Sequence, residues 1–254
     1  MRLRRIIEHL SEQHWTAIWI DLVIVVVGVF IGIQVSNWNQ TRADSQREHL
    51  LLVDLRVELA ESIRQTEIRQ RAFEQIARSG TRAVAFLDAG QPCGEQCWPV
   101  IVDFFHASQW QVLPVGLPTY DEMRRNGWPR QRKIVDAVEA YLRQSRQIAA
   151  PLQQPPAYRA QVRGLIPLPI HEPYWTTCFE LSNGEEAYVQ DCPQGVAPEI
   201  SAAGVAAIVK DPGIHRTLTE WIGFTQGYSR TLGGQNDAAK QALALIDAEL
   251  AKER

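Results

Sequence analysis

The chain has 254 residues, of which 45% are hydrophobic, and a formal net charge of −3 from 26 basic and 29 acidic residues. The basic residues are dispersed among the acidic ones, whereas a nucleic-acid-binding protein clusters them on one face. This pattern therefore predicts no nucleic-acid partner. About 200 residues follow the N-terminal apolar segment, which is enough for one domain with its own core.

The N-terminal apolar segment, residues 15–38, reads WTAIWIDLVIVVVGVFIGIQVSNW and contains a single charge, Asp21. A helix rises about 1.5 Å per residue, so about 20 apolar residues cross a hydrocarbon core of roughly 30 Å. Inside lipid the backbone groups must bond within the segment, which requires a helix. Trp15, Trp19 and Trp38 lie near its ends, where tryptophan prefers the headgroup level. The segment is predicted to be a transmembrane helix in contact with the lipid bilayer.

A cleaved signal peptide is the alternative interpretation, because Arg2, Arg4 and Arg5 form a basic start. However, no A-x-A-like site follows the apolar run, and the charge-free stretch 22–41 is longer than the roughly 7–15 residues of a signal core. An uncleaved anchor is favoured.

The arginines also predict the orientation. Three precede the span, whereas Arg42 and Arg47 follow it, and basic flanks favour the cytoplasm. We expect residues 1–14 to be a short cytoplasmic segment and residues 39–254 to be extracytoplasmic, in the periplasm, with the anchor in a bacterial inner membrane.

The four cysteines fit that topology. They form two local pairs in the sequence, which suits an oxidising compartment. Four cysteines allow three connectivities, and local spacing favours Cys93–Cys97 with Cys178–Cys192 over free thiols. A zinc site is disfavoured because neither pair is C-x-x-C and no two histidines have ligand spacing, and a thioredoxin-type motif also needs C-x-x-C.

Helical patterns follow the span. Apolar residues recur at three- and four-residue steps from Thr41 to about Leu87, in a helix that either continues the span or follows a break near residues 37–39. A short buried helix is predicted from Pro99 to Ala107 and another helix from Arg130 to Gln147. Between them, Thr119 and Glu122 suggest a capping box, and Gly127 a helix stop.

The helical pattern ends at residues 151–198, where frequent prolines exclude long helices. Residues 176–189 alternate around Asn183-Gly184, which predicts a hairpin with a tight turn. We interpret 151–198 as a proline-rich insertion that carries a β-hairpin held by the second cysteine pair.

Two C-terminal helices are predicted, a short one at residues 200–209 and a longer one from Ile214 to Ala251, with a kink near its glycines. We expect a helical bundle in which the last helix packs against the first helix after the membrane. The predicted fold class is mainly α: one N-terminal transmembrane helix, then an extracytoplasmic helical bundle with a small disulfide-stapled hairpin insertion.

Catalytic motifs are absent from the sequence. His171-Glu172 begins like a metalloprotease motif but lacks the second histidine, and Pro173 opposes the required helix. Asp121 and Glu122 are adjacent, and adjacent helical residues point apart. We therefore expect no catalytic residues, no cofactor and no metal, and a protein that is not an enzyme.

The span itself carries the most specific pattern. At about 100° per residue, five residues of the span, which are named at the end of this paragraph, lie along one narrow strip of the helix surface, and Asn39 extends that strip. Two of them form G-x-x-x-G, the spacing that lets two helix backbones approach closely. The alternative is that such glycines are common in membrane helices and that the acid reaches the headgroups. The intramembrane strip is Asp21, Val25, Gly28, Gly32 and Val35.

Two stretches resemble a family of uncharacterised bacterial single-pass membrane proteins. One is the anchor DLVIVVVGVFIGIQVSNWNQ, with its acid and its Gln-x-x-Asn-Trp-Asn ending, and the other is PTYDEMRRNGWPRQRKIVDAVEAYL. The family usually has glutamate where this chain has Asp21. The resemblance implies one N-terminal span and a mostly helical extracytoplasmic domain, and it implies no activity, ligand or catalytic residue.

The leading prediction is a non-enzymatic membrane protein that contacts another membrane protein, or a second copy of itself, through its anchor and outer domain. It would be an accessory or scaffold subunit of a complex, or a homo-oligomer. The alternative is a periplasmic sensor or ligand-binding module that signals through a membrane partner, with Tyr174, Trp175 and Tyr188 lining a pocket.

Overall fold

A computed structural model describes residues 15–253 of the chain, with side chains described from residue 19 to residue 252. The short predicted cytoplasmic segment 1–14 lies outside these residues. The described chain is mainly helical, with one antiparallel pair of strands. Its elements are α1 Trp15–Ala89, α2 Cys97–Ala107, α3 Pro118–Arg125, α4 Arg132–Ala149, α5 Ala157–Leu165, α6 Leu168–Pro173, β1 Phe179–Ser182, β2 Glu185–Tyr188, α7 Pro198–Lys210 and α8 Ile214–Leu250.

Helix α1 is a single element of 75 residues, without a break at residues 37–39. Neither proline nor glycine occurs between Gly32 and Gly80 to interrupt the helical hydrogen bonds. By their contacts, the described residues separate into two compact units, one that ends at Leu51 and one that begins at Leu52.

The first unit contains the predicted span. The most apolar 18-residue window of α1 has a mean hydropathy of 2.2, and none of that window is buried. Trp19 and Trp38 are about 60% exposed at its two ends. Within the described residues, α1 is the one helix that is long and apolar enough to cross a membrane.

The second unit is organised around the remainder of α1 and α8, which pack against each other as predicted and run antiparallel. Phe73 of α1 is fully buried and meets the rings of Trp221 and Tyr228 edge-on, at centroid distances of 6.5 and 5.1 Å. Polar contacts link the two helices along their length. These contacts are Arg56–Asp247, Glu67–Lys240, Glu74–Ser229, Thr81–Gln226 and Asp88–His215.

Helices α2, α4, α5 and α7 complete the core. Helix α4 lies against α8, and α2 lies against α7. Helix α2 is almost wholly buried and begins two residues before the predicted Pro99, because proline is tolerated in a first helical turn. The buried positions Ile134, Val138, Tyr141 and Leu142 form the predicted apolar face of α4.

The proline-rich segment 151–198 belongs to the same core. Tyr158, Ile170, Tyr174 and Cys178 from this segment are at most 1% exposed and pack in one hydrophobic cluster with α1 and α2. Its prolines allow only the short helices α5 and α6, followed by a π-helical turn at Tyr174–Cys178. The segment 151–198, which was predicted to be an insertion, therefore forms one side of the hydrophobic core.

The predicted hairpin is confirmed. Strands β1 and β2 pair antiparallel with Ser182 opposite Glu185. Asn183 and Gly184 both adopt positive φ, 52° and 77°, as the tight primed turns require.

The structure also contains the two disulfides favoured from the sequence, Cys93–Cys97 and Cys178–Cys192. The first closes a turn before α2, and the second joins the start of the hairpin to the loop after it. Both sulfur pairs lie in the second unit.

One predicted helix end is wrong. Helix α3 begins at Pro118 with Leu117 at its cap, so Thr119 lies inside the helix and makes no capping box with Glu122. Proline without an N–H occupies the first helical position favourably. The Thr119 N–H instead donates to the Glu58 carboxylate of α1, at 3.2 Å. Gly127, with φ of 78°, lies just beyond the end of α3 as predicted.

Candidate interaction site

The intramembrane strip lies on an exposed part of α1. Val25 and Val35 are 62% and 50% exposed. A Cβ built on Gly28 or Gly32 would meet no described atom within 4 Å, apart from the helix's own backbone. The backbone of α1 is therefore open to close approach at both glycines, which is the geometry that G-x-x-x-G pairs use.

Asp21 adds a polar group to the same strip, one turn before Val25. Among the described residues, no hydrogen bond or ion pair involves its carboxylate. A charged aspartate at the centre of a membrane helix costs about 2.5–3.5 kcal/mol on insertion scales. A donor from a neighbouring helix would lower that cost, so the strip combines a close-packing surface with an acceptor.

In the second unit, an ion pair with a buried carboxylate ties α1 to α2. Asp103 is 8% exposed and accepts bonds of 2.9 and 2.6 Å from Nε and Nη2 of Arg82. Gln190, in the loop after β2, donates to Asp103 at 2.9 Å and accepts from Arg82. This cluster cross-links three parts of the fold.

His106 lies deeper in α2 and is fully buried. Its Nε2 is 3.0 Å from the carbonyl oxygen of Cys178, and its Nδ1 has no partner. Burial lowers the pKa of His106 to about 4, so the ring is neutral at ordinary pH. The rings of Tyr174 and Tyr188 enclose it, and it has no access to a ligand from solvent.

The structure places the three rings that were expected to line a pocket in the proline-rich segment at different depths. Tyr174 is fully buried and stacks on Phe105 with 3.7 Å between centroids, and Tyr188 is 6% exposed. Only Trp175 of the three rings is partly exposed, at 37%. The short helices of the segment turn two of the rings inward, where they bury large apolar areas.

Arg163 of α5 covers this aromatic cluster. Its guanidinium lies 4.8 Å from the Phe105 centroid and 5.3 Å from that of Trp175. It donates to the Ser108 hydroxyl and the Gln109 side-chain oxygen. Burial lowers the pKa of Arg163 to about 10, which leaves it charged at neutral pH. The contact is a cation–π contact that stabilises packing.

The structure assembles no catalytic group from the residues weighed in the sequence. His171 Nε2 bonds to the Ile166 carbonyl at 3.3 Å, and Asp121 is exposed in the first turn of α3. In the described part of the chain, no group of three or more His, Cys, Asp or Glu side chains could hold a metal ion.

Sequence reasoning missed the Arg82–Asp103 pair and the buried His106. The pair joins two different helices, so no spacing along the chain predicts it. The available signal was weaker: Asp103 and His106 are the polar members of an otherwise apolar helix that was itself predicted to be buried.

Comparisons of the chain with protein-family models, with curated proteins and with solved structures find no match. The function is therefore inferred from the residues of this chain alone.

Proposed function

We propose that the chain is a non-enzymatic, single-pass membrane protein that acts through protein–protein contacts. It would be an accessory or scaffold subunit of a membrane complex, or a homo-oligomer. The intramembrane strip carries the proposal. Gly28 and Gly32 leave the backbone uncovered, and Asp21 on the same strip has no partner among the described residues. A second membrane helix would cover the glycines and supply a donor to the acid.

The proposal includes a topology. Residues 1–14 would be cytoplasmic, residues 15–38 would span a bacterial inner membrane, and residues 39–254 would be periplasmic. The exposed apolar window of α1 and the three arginines before it support this orientation. The two disulfides, both after the span, support an oxidising compartment.

Fusions at the C-terminus test the topology. Alkaline phosphatase fused after Arg254 should be active, because it needs the disulfide-forming periplasm, and green fluorescent protein exported by the same route should be dark. A bright fluorescent fusion with an inactive phosphatase would reverse the orientation.

Substitutions in the strip test the contact. Gly28→Ile places a branched side chain where a partner backbone would approach, and Asp21→Leu removes the acceptor. Both should abolish crosslinking or co-purification of the full chain with its partner from mild detergent, and native mass measurement would show whether that partner is a second copy.

Val23→Ile is the matched control, because at about 100° per residue it adds bulk on the opposite face of the helix. It should leave the association intact. Equal association of the control and the strip variants would contradict the proposal.

A further inference from the structure

A second candidate site lies in the outer unit, where α1 and α8 enclose a groove of about 510 Å³. We call it the seam groove. It lies between two bridges across the helix pair, from Ser229 to Glu74 at 3.2 Å and from Gln226 to Thr81 at 3.3 Å. The small side chain of Ala77, between these bridges on α1, leaves the space open. Its size is within the roughly 300–1,000 Å³ of small-molecule sites.

Three arginines line the seam groove, and two of them lack a counter-charge. Arg82 is paired with Asp103. Arg78 and Arg230 are exposed, and among the described residues neither forms an ion pair or a side-chain hydrogen bond. By contrast, Arg56, Arg64 and Arg71 of α1 each have a carboxylate partner.

The groove contains little negative charge to balance these arginines. Glu74 is the one carboxylate among the described lining residues, and its Oε1 already accepts bonds from Ser229 and Gln70. The groove therefore has an excess of positive charge on two guanidinium groups from different helices. A cation would be repelled there, whereas the planar donor fork of arginine matches the oxygens of a carboxylate or phosphate.

We infer that the seam groove binds a small oxyanion, with Arg78 and Arg230 as its bidentate donors and the Gln226 amide as a further donor. Such binding is separate from the intramembrane contact proposed above and uses no residue of the span. The phosphate of a lipid headgroup offers the same chemistry as a soluble phosphorylated or carboxylated molecule, so the test must distinguish the two sources.

The test is calorimetric titration of the full chain in a neutral detergent. The soluble probes are pyrophosphate and citrate, with sodium chloride at matched ionic strength as the blank. Short-chain lipid probes are the anionic dihexanoyl phosphatidylglycerol and, as the zwitterionic reference without net charge, dihexanoyl phosphatidylcholine. Saturable binding of pyrophosphate or citrate in preference to the lipids assigns a soluble ligand, and the reverse preference assigns a headgroup; either result supports an oxyanion site.

The variants identify the site. Arg78→Gln and Arg230→Gln should each weaken binding roughly tenfold or more, because each removes charge-assisted hydrogen bonds. Glu74→Gln should strengthen binding, because it removes a repulsive charge; a purely structural role for these residues would not reverse the sign. Arg216→Gln and Arg146→Gln remove exposed arginines outside the groove and should leave binding unchanged.

Two results would overturn the inference. One is that no anionic probe binds saturably above the chloride blank. The other is that the Arg78→Gln, Arg230→Gln double variant, with thermal unfolding like that of the parent chain, binds the probes as tightly as the parent does.

Discussion

Two stretches of helix α1 contain similar apolar residues, but one stretch exposes them and the other buries them. Between Trp19 and Trp38 every large apolar side chain is about half exposed or more, whereas Leu55, Leu59 and Phe73 are completely buried. The difference lies in the arrangement of the residues. The first stretch is apolar all around the helix, and the second has one apolar stripe with charged residues beside it. The stripe is covered by protein, whereas the first stretch remains exposed.

The largest effect is expected when a phenylalanine in each stretch is replaced by alanine. Phe73→Ala should lower the free energy of unfolding of the second unit by about 3–5 kcal/mol, because it leaves a cavity in a packed core. Phe30→Ala, at a 59% exposed position of the same helix, should leave that free energy unchanged. Denaturant unfolding of the full chain in detergent, followed by tryptophan fluorescence, measures both. An equal loss in the two variants would show that the stretches do not differ.

The next test uses pH, because the second unit contains a buried titratable residue, His106. Burial lowers the pKa of His106 from 6.5 to about 4. Between these values the unfolded chain binds a proton at this residue that the folded chain does not bind. The stabilisation is therefore complete above pH 6.5, and it is lost as the pH falls toward 4, by roughly 3 kcal/mol in all.

His106→Gln removes the titrating group, so its free energy of unfolding should decrease less than that of the parent chain over this pH range. Parallel pH profiles for the parent chain and His106→Gln would contradict the assignment.

The smallest expected difference is between the two disulfides, both of which lie in the second unit. Their cysteines are 14 and 4 residues apart. In the chain-entropy model, loops of these lengths contribute about 3 and about 2 kcal/mol. Replacing both Cys178 and Cys192 by alanine should therefore lower the unfolding midpoint more than replacing Cys93 and Cys97. The reverse order would indicate that the short turn before α2 contributes more than its length suggests.

Much of the fold follows from local signals in the sequence. The turn residues Asn183-Gly184, the apolar stripe of α4 and the local spacing of the cysteines each act within a few residues, and each prediction is confirmed. The intramembrane strip stays a prediction, because only a partner helix can test it.

The failures concern contacts between distant parts of the chain. The capping box at Thr119 fails because Glu58, far away in the sequence, satisfies the same N–H. The burial of Tyr174 was not predicted either, because its ring stacks on Phe105 of another helix. The seam groove was likewise unpredictable, since Arg78 and Arg230 meet only when α1 and α8 pack together.

The antiparallel pairing of α1 with α8 also has a consequence for how the protein is made. The ribosome completes α1 long before it reaches α8, and at typical synthesis rates the interval is on the order of ten seconds. During that time the apolar stripe around Phe73 lacks its main cover, the rings of Trp221 and Tyr228. The nascent chain is then exposed to aggregation and proteolysis, and a chain truncated before Ile214 would remain in that state.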